Sequence, residues 1–240
     1  MKIEVCANSL QSALNAEKAG ADRIELCMEL GLGGVTPSYG LLKSVKEQVS
    51  IPVHVLIRPR SGDFTYSDSE FQIMRSNIKL CVDLGFDGVV SGVLTENFKI
   101  DIERTAILIQ ESNGINFTFH RAFDWVDNPK KALQQLEKLG VDYVLTSGQQ
   151  KKALGGIRLL QELKNIAKNC VIMPGGGINS SNIGSFVEKS FSFVHLSGVQ
   201  LKEREILSTK TSMYSSSFLR DAVTVETDFE VIRALVDSVK

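Results

Sequence analysis

Ala19-Gly20-Ala21-Asp22-Arg23-Ile24-Glu25-Leu26-Cys27 holds the end of a helix and the start of a strand in one short stretch. Glycine tolerates the left-handed turn that closes a helix, so Gly20 marks a joint with little slack. Beyond it, Arg23, Glu25 and Cys27 alternate with Ile24 and Leu26, the period of a strand whose two faces differ. The joint recurs in Leu84-Gly85-Phe86-Asp87 and Leu139-Gly140-Val141-Asp142, each running straight into an apolar segment.

Alternation or short apolar runs appear at about 2–8, 23–27, 52–60, 88–94, 116–124, 143–148, 171–178 and 193–198, which makes eight candidate strands. Helical spacing lies between them, as in Leu10, Ala13 and Leu14, in Leu41, Leu42 and Val45, and in Phe71, Met74 and Ile78. Eight strand–helix units predict an α/β fold, a closed parallel TIM (β/α)8 barrel, with an open doubly wound sheet as the alternative. With 240 residues, 43% hydrophobic and 23% charged, one domain over 1–240 is expected. The serine- and threonine-rich stretch 207–225 has no clear period. Residues 201–227 are therefore expected to form a flexible loop, as a lid, a partner contact or disorder, before a final helix over 228–240 with Phe229, Ile232, Leu235 and Val236 on one side.

A net charge of −1 offers no basic face for nucleic acid or an anionic membrane surface. The N-terminus opens on a strand-like segment, and no apolar run approaches membrane-spanning length, so a cytoplasmic protein is expected. The four cysteines are dispersed without a CxxC pair, which argues for reduced thiols. Cys81 and Cys170 sit among apolar neighbours and read as packing.

Chemistry in such barrels collects at the C-terminal ends of the strands. The residues falling there are Cys6, Asn8, Glu25, Cys27, Arg58, Arg60, His120, Asp124, Ser147, Gly175, Gly176, Gly177, His195 and Ser197. His54, His120 and His195 each share a strand face with other polar residues. Arg58 and Arg60 flank Pro59 with the spacing of one strand face and suit a carboxylate or phosphate, or internal partners such as Glu25, Asp63 or Asp124. Gly175-Gly176-Gly177 lets backbone N–H groups approach an oxyanion. Ser147 and Ser197 join that anion-binding set. Cys6 and Cys27 end the first two strands on matching parity, and soft thiolates at close range select Cu(I).

Taken together, Glu4-Val5-Cys6, the Gly20–Cys27 stretch, Gly33-Gly34-Val35-Thr36-Pro37-Ser38, Ile57-Arg58-Pro59-Arg60-Ser61-Gly62-Asp63-Phe64, Phe119-His120-Arg121-Ala122-Phe123-Asp124, Leu145-Thr146-Ser147-Gly148 and Pro174-Gly175-Gly176-Gly177-Ile178 closely resemble the CutC family of copper homeostasis proteins. The resemblance spans about residues 1 to 200. It implies a cytoplasmic TIM barrel that self-associates as a homodimer or higher homo-oligomer, handles copper, and holds Cu(I) on Cys6 and Cys27, which match the cysteines of the family's first two strand motifs. The chain departs where Gln149-Gln150 follow Gly148 in place of a further glycine, and where Thr95-Glu96-Asn97-Phe98 replaces a glycine-richer turn.

Two functions follow as expectations. One is Cu(I) binding in copper homeostasis. The other is an enzyme on a phosphorylated or carboxylated small molecule, with Arg58 and Arg60 on the anion, His120 or His195 moving a proton, and Glu25 as partner acid or base. A scaffold role ranks below both, because charge inside a barrel is costly unless satisfied.

Overall fold

The computed structural model describes residues 1–203, 211 and 223–240. Eight parallel strands form the predicted barrel: β1 Lys2–Ala7, β2 Arg23–Leu26, β3 Val53–Leu56, β4 Gly88–Ser91, β5 Asn116–Phe119, β6 Tyr143–Thr146, β7 Val171–Pro174 and β8 Phe193–Leu196. They pair in chain order from β1 to β7, β1 also pairs with β8, and a single bridge from Gly175 to His195 joins the end of β7 to β8. The helices around them are α1 Leu10–Lys18, α2 Tyr39–Gln48, α3 Asp68–Asp83, α4 Ile102–Glu111, α5 Pro129–Leu139, α6 Ile157–Ile166, α7 Ile183–Glu188 and α8 Phe229–Val239.

All eight strands lie where alternation predicts them, but several stop early. The segments 52–60 and 116–124 are strand only over Val53–Leu56 and Asn116–Phe119. Arg58 and Arg60 consequently belong to a loop and Asp124 to a 3-10 turn over Arg121–Trp125, where a period of two no longer governs which way a side chain points.

The repeated Gly-x-Asp joints have a structural use. Gly20, Gly85 and Gly140 take φ values of 90°, 73° and 85°, and each following residue donates its N–H back into the closing helix, to Ala16, Cys81 and Leu136. The aspartates then lace the barrel floor. Asp22 accepts the N–H of Ile3 at 2.8 Å, Asp87 that of Val53 at 2.9 Å, and Asp142 that of Phe117 at 2.7 Å. Each carboxylate thus ties its own joint to the start of the preceding strand, satisfying a backbone donor that would otherwise be orphaned.

Parity sorts the two barrel faces. Ile3, Val5, Ile24, Val53, Val55, Val89, Phe117, Val144, Ile172 and Val194 pack outward into the main apolar core beneath the helices. The lumen is divided. Tyr143, Leu145, Val171, Met173 and Phe193 fill one side, whereas Glu4, Arg23, Glu25 and His54 from the first three strands are buried on the other.

The expected loop at 201–227 is corrected at both ends. Strands β9 Val199–Glu203 and β10 Val223–Thr227 pair antiparallel, with Val199 opposite Thr227. Backbone bonding decides this where side-chain period was silent: Asn8 and Asn15 donate to the carbonyls of Val225 and Thr227, and Thr227 N–H donates to Ser12. The remainder of that expectation, 204–210 and 212–222, lies outside the described residues. The final helix forms as expected, capped by Asp228 and burying Ile232, Leu235 and Val236. Among the described residues, no helix is long and apolar enough to cross a membrane.

Candidate functional site

The register of β8, β1 and β2 sets Glu4 beside both His195 and Arg23. Arg23 Nε donates to Glu4 Oε2 at 2.5 Å, and its guanidinium is held between the rings of Tyr143 and Phe193, at 4.1 and 4.4 Å. His195 Nδ1 lies 2.8 Å from Glu4 Oε1. Burial by itself would raise the Glu4 pKa, but the Arg23 charge and the His195 contact outweigh it and hold the carboxyl at about 2. For His195, burial disfavours the charged ring; Glu25 and Glu4 reverse that and raise its pKa.

One step toward the mouth, Cys6 and Cys27 meet. Their sulfurs are 3.4 Å apart, buried with Leu56 and Val90, and both cysteines are free thiols. Cys6 also donates to Glu25 Oε1 at 3.7 Å, its neighbour across the β1–β2 register. The Cys27 contact, then burial, push the Cys6 thiol well above its ordinary range. Burial raises Glu25 to about 6 against the pull of His195, and its Oε2 has no hydrogen-bond partner among the described residues. Ligand atoms of Cys6, Glu25 and His195 lie within 4.8 Å of one another, a mixed sulfur, nitrogen and oxygen set able to hold a metal ion. Cys81 and Cys170 stand apart, buried, with thiols pushed up to about 12 by burial.

Above the thiols a cavity of about 400 Å³ opens at the C-terminal mouth. Cys6, Glu25, Arg58, His120, Asp124, Gly176, Gly177, His195 and Ser197 line it, bringing together most of the residues read from the sequence. Arg60 does not join them. Its guanidinium binds Glu70 at 2.6 Å and Asp63 at 3.0 Å, so the expected Arg58–Arg60 clamp is not formed; the strand that would have aligned the two ended at Leu56. Asn8 is likewise spent on β10. Gly175 is occupied by the bridge to His195.

Ser147 is fully buried and committed. Its hydroxyl is shared between Asp124 and the Gln150 carbonyl and accepts from Arg121, while Asp124 also takes the N–H groups of Ser147 and Gln149. Asp124 is therefore the hub of the loop after β6, and the Gln149-Gln150 departure is built into that hub. His54 lies below the cavity against Tyr143 and Thr118, held neutral at about 4 by burial and the Arg23 charge.

Several site residues were not nominated from the sequence. Glu4 and Arg23 carried the right parity. Arg121 carried a signal only in its i,i+3 spacing to Asp124, to which it is ion-paired at 2.8 Å. Phe64 stood only as the end of a motif and Trp125 in none, since tertiary contact alone brings their rings within 5.0 Å.

A model of the CutC family matches residues 1–200. The chain is 45% identical over 230 residues to a CutC family protein of Photorhabdus laumondii, covering 96% of this chain and 89% of that one. It is 42% identical over 242 residues to one from Pasteurella multocida, covering 100% and 99%. Among solved structures, the candidate copper homeostasis protein CutC from Streptococcus agalactiae superposes with a TM-score of 0.77 at 34% identity, covering 81% of this chain and 97% of that chain.

Proposed function

The chain belongs to the CutC family, and from that footing we propose that it is a copper homeostasis protein that binds Cu(I) through Cys6 and Cys27. One observation carries the reading: two free thiols 3.4 Å apart from adjacent strand ends, one of which, Cys6, lines the cavity. Thiolate is the ligand that prefers Cu(I), and His195 adds an imidazole beside it. Copper is here the cargo. The chain supplies the two sulfurs and, in Glu25 Oε1, an acceptor already placed for the Cys6 proton that metal binding releases. Four free cysteines fit a reducing compartment, and we place the protein in the cytoplasm.

Anaerobic titration against a competing Cu(I) chelator tests the reading. The wild type should retain Cu(I) stoichiometrically. The Cys6→Ala, Cys27→Ala double variant, whose new methyls face Leu56 and Val90, should fold and retain none; equal retention by both would remove the thiol site.

A further inference from the structure

Cu(I) on the thiols leaves the outer wall of the cavity without a role. Arg58 is only 5% exposed, yet its terminal nitrogens serve the backbone carbonyls of Leu32, Gly34 and Gly62, the Tyr66 hydroxyl stands beside the guanidinium, and its Nε makes no hydrogen bond among the described residues. The carboxylates of the adjoining loops, Asp63 and Asp124, are paired with Arg60 and Arg121. Among the described residues the Arg58 guanidinium thus touches no carboxylate; Asp63, whose charge acts on it, is shared with Arg60.

His120, equally buried, repeats the pattern. Its Nδ1 accepts the Ala122 N–H at 3.2 Å, which assigns the ring proton to Nε2, and Nε2 has no partner among the described residues. Burial, reinforced by Arg58, holds the ring neutral, with a pKa of about 3, so this nitrogen stays a donor. Two donors without a hydrogen bond among the described residues, one of them on a guanidinium that touches no carboxylate, call for a monoanion with two acceptor oxygens. A carboxylate has that form; a phosphate dianion brings more charge and more oxygens than the pair can match.

Beside the donors the wall is aromatic. The Phe64 ring lies 5.2 Å from the Arg58 guanidinium carbon, 4.9 Å from the His120 ring centre and 5.0 Å from that of Trp125. Trp125 and Phe98, 46% and 48% exposed, continue this surface to the rim. Phe98 sits there at a φ of 51°, a conformation costly for a bulky side chain and retained at sites that use it.

We propose that the barrel mouth binds a small monocarboxylate with a planar apolar body, its two oxygens taking the Nε–H of Arg58 and the Nε2–H of His120, its body lying on Phe64 and Trp125. A body lying on the Phe64 and Trp125 rings changes the surroundings of Trp125, the one tryptophan in the chain.

Phenylacetate is the probe, titrated into copper-free, reduced protein while Trp125 fluorescence and the Nε2–H signal of His120 in ¹⁵N-histidine-labelled protein are followed. Both should change saturably and together. Phenylacetamide, which has lost the charge, should bind at least ~10-fold more weakly, and His120→Phe should weaken phenylacetate by ~10-fold or more. Should that variant fail to fold, the wild-type histidine signal decides the matter unaided. The proposal is overturned if phenylacetate gives no saturable change, if the His120 signal stays still while Trp125 responds, if the amide binds equally, or if inorganic phosphate moves His120 and phenylacetate does not. Copper retention is read on different side chains, so the failure of either assignment is distinguishable from failure of the other.

Discussion

Arg23 and Glu4 show what a single side chain contributes here. Both are almost fully buried and ion-paired, Arg23 to Glu4 and Glu4 to His195 as well. Removing one partner strands a charge, which costs far more than removing both. Arg23→Met should therefore destabilise the protein by about 3–5 kcal/mol in urea unfolding, and adding Glu4→Gln should recover most of that loss. A double variant no more stable than Arg23→Met would show that packing between Tyr143 and Phe193, and not charge, is what Arg23 supplies. Parity marked both residues as inward-facing in the sequence, but their pairing depended on strand order. The same limit explains Arg60: two residues from Arg58 in sequence, it answers to Glu70 on α3.

Strand β4 and the Gly-x-Asp joints illustrate how elements are fitted together. Gly88 on β4 and Gly92 just past its end leave room for two imidazoles: a Cβ at Gly88 would lie 2.6 Å from the His54 ring, and one at Gly92 2.7 Å from His120 Nδ1. Gly88→Ala should cost about 1–3 kcal/mol through overpacking and shift the His54 resonances; an unchanged melting profile would refute that fit. At the opposite end, Asp87→Ala should cost about 1–3 kcal/mol, because Val53 loses the acceptor for its N–H. Hydrogen exchange at Val53 should speed up selectively, and exchange unaltered there would remove the lacing role. The joints were legible in the sequence as helix ends. Their carboxylates were not, since each acceptor serves a strand about twenty to thirty-five residues earlier.

Across the molecule as a unit, the buried titratable groups set how stability follows pH. His54 and His120 are depressed from 6.5 to about 4 and about 3, so below pH 6.5 the unfolded chain binds protons that the fold refuses. Stability then falls by about 1.4 kcal/mol per histidine for each pH unit. Glu25, raised from 4.5 to about 6, binds a proton on folding and offsets one histidine between those two values. Glu4, held at about 2, adds a further loss below 4.5. His195 acts in the other direction: its raised pKa gives stability that is present below 6.5 and is lost as pH climbs through the folded value. Urea midpoints should accordingly peak near pH 6.5 and decline on both sides, and His120→Phe should flatten the acid limb by one histidine's share. A profile level from pH 5 to 8 would contradict the burial of these rings.

Alternation along each strand was enough to establish the barrel and the inward set Cys6, Glu25, Cys27, His54 and His195, because a period of two follows from backbone geometry and needs no distant partner. Loops obey no such rule. Where Arg60 turns was decided by loop contacts to Asp63 and Glu70 that no period announces; how Asp124 gathers the loop after β6 and why Phe64 and Trp125 come to lie beside His120 were decided by hydrogen bonds and ring contacts between segments far apart in the chain, which form only once the barrel has closed.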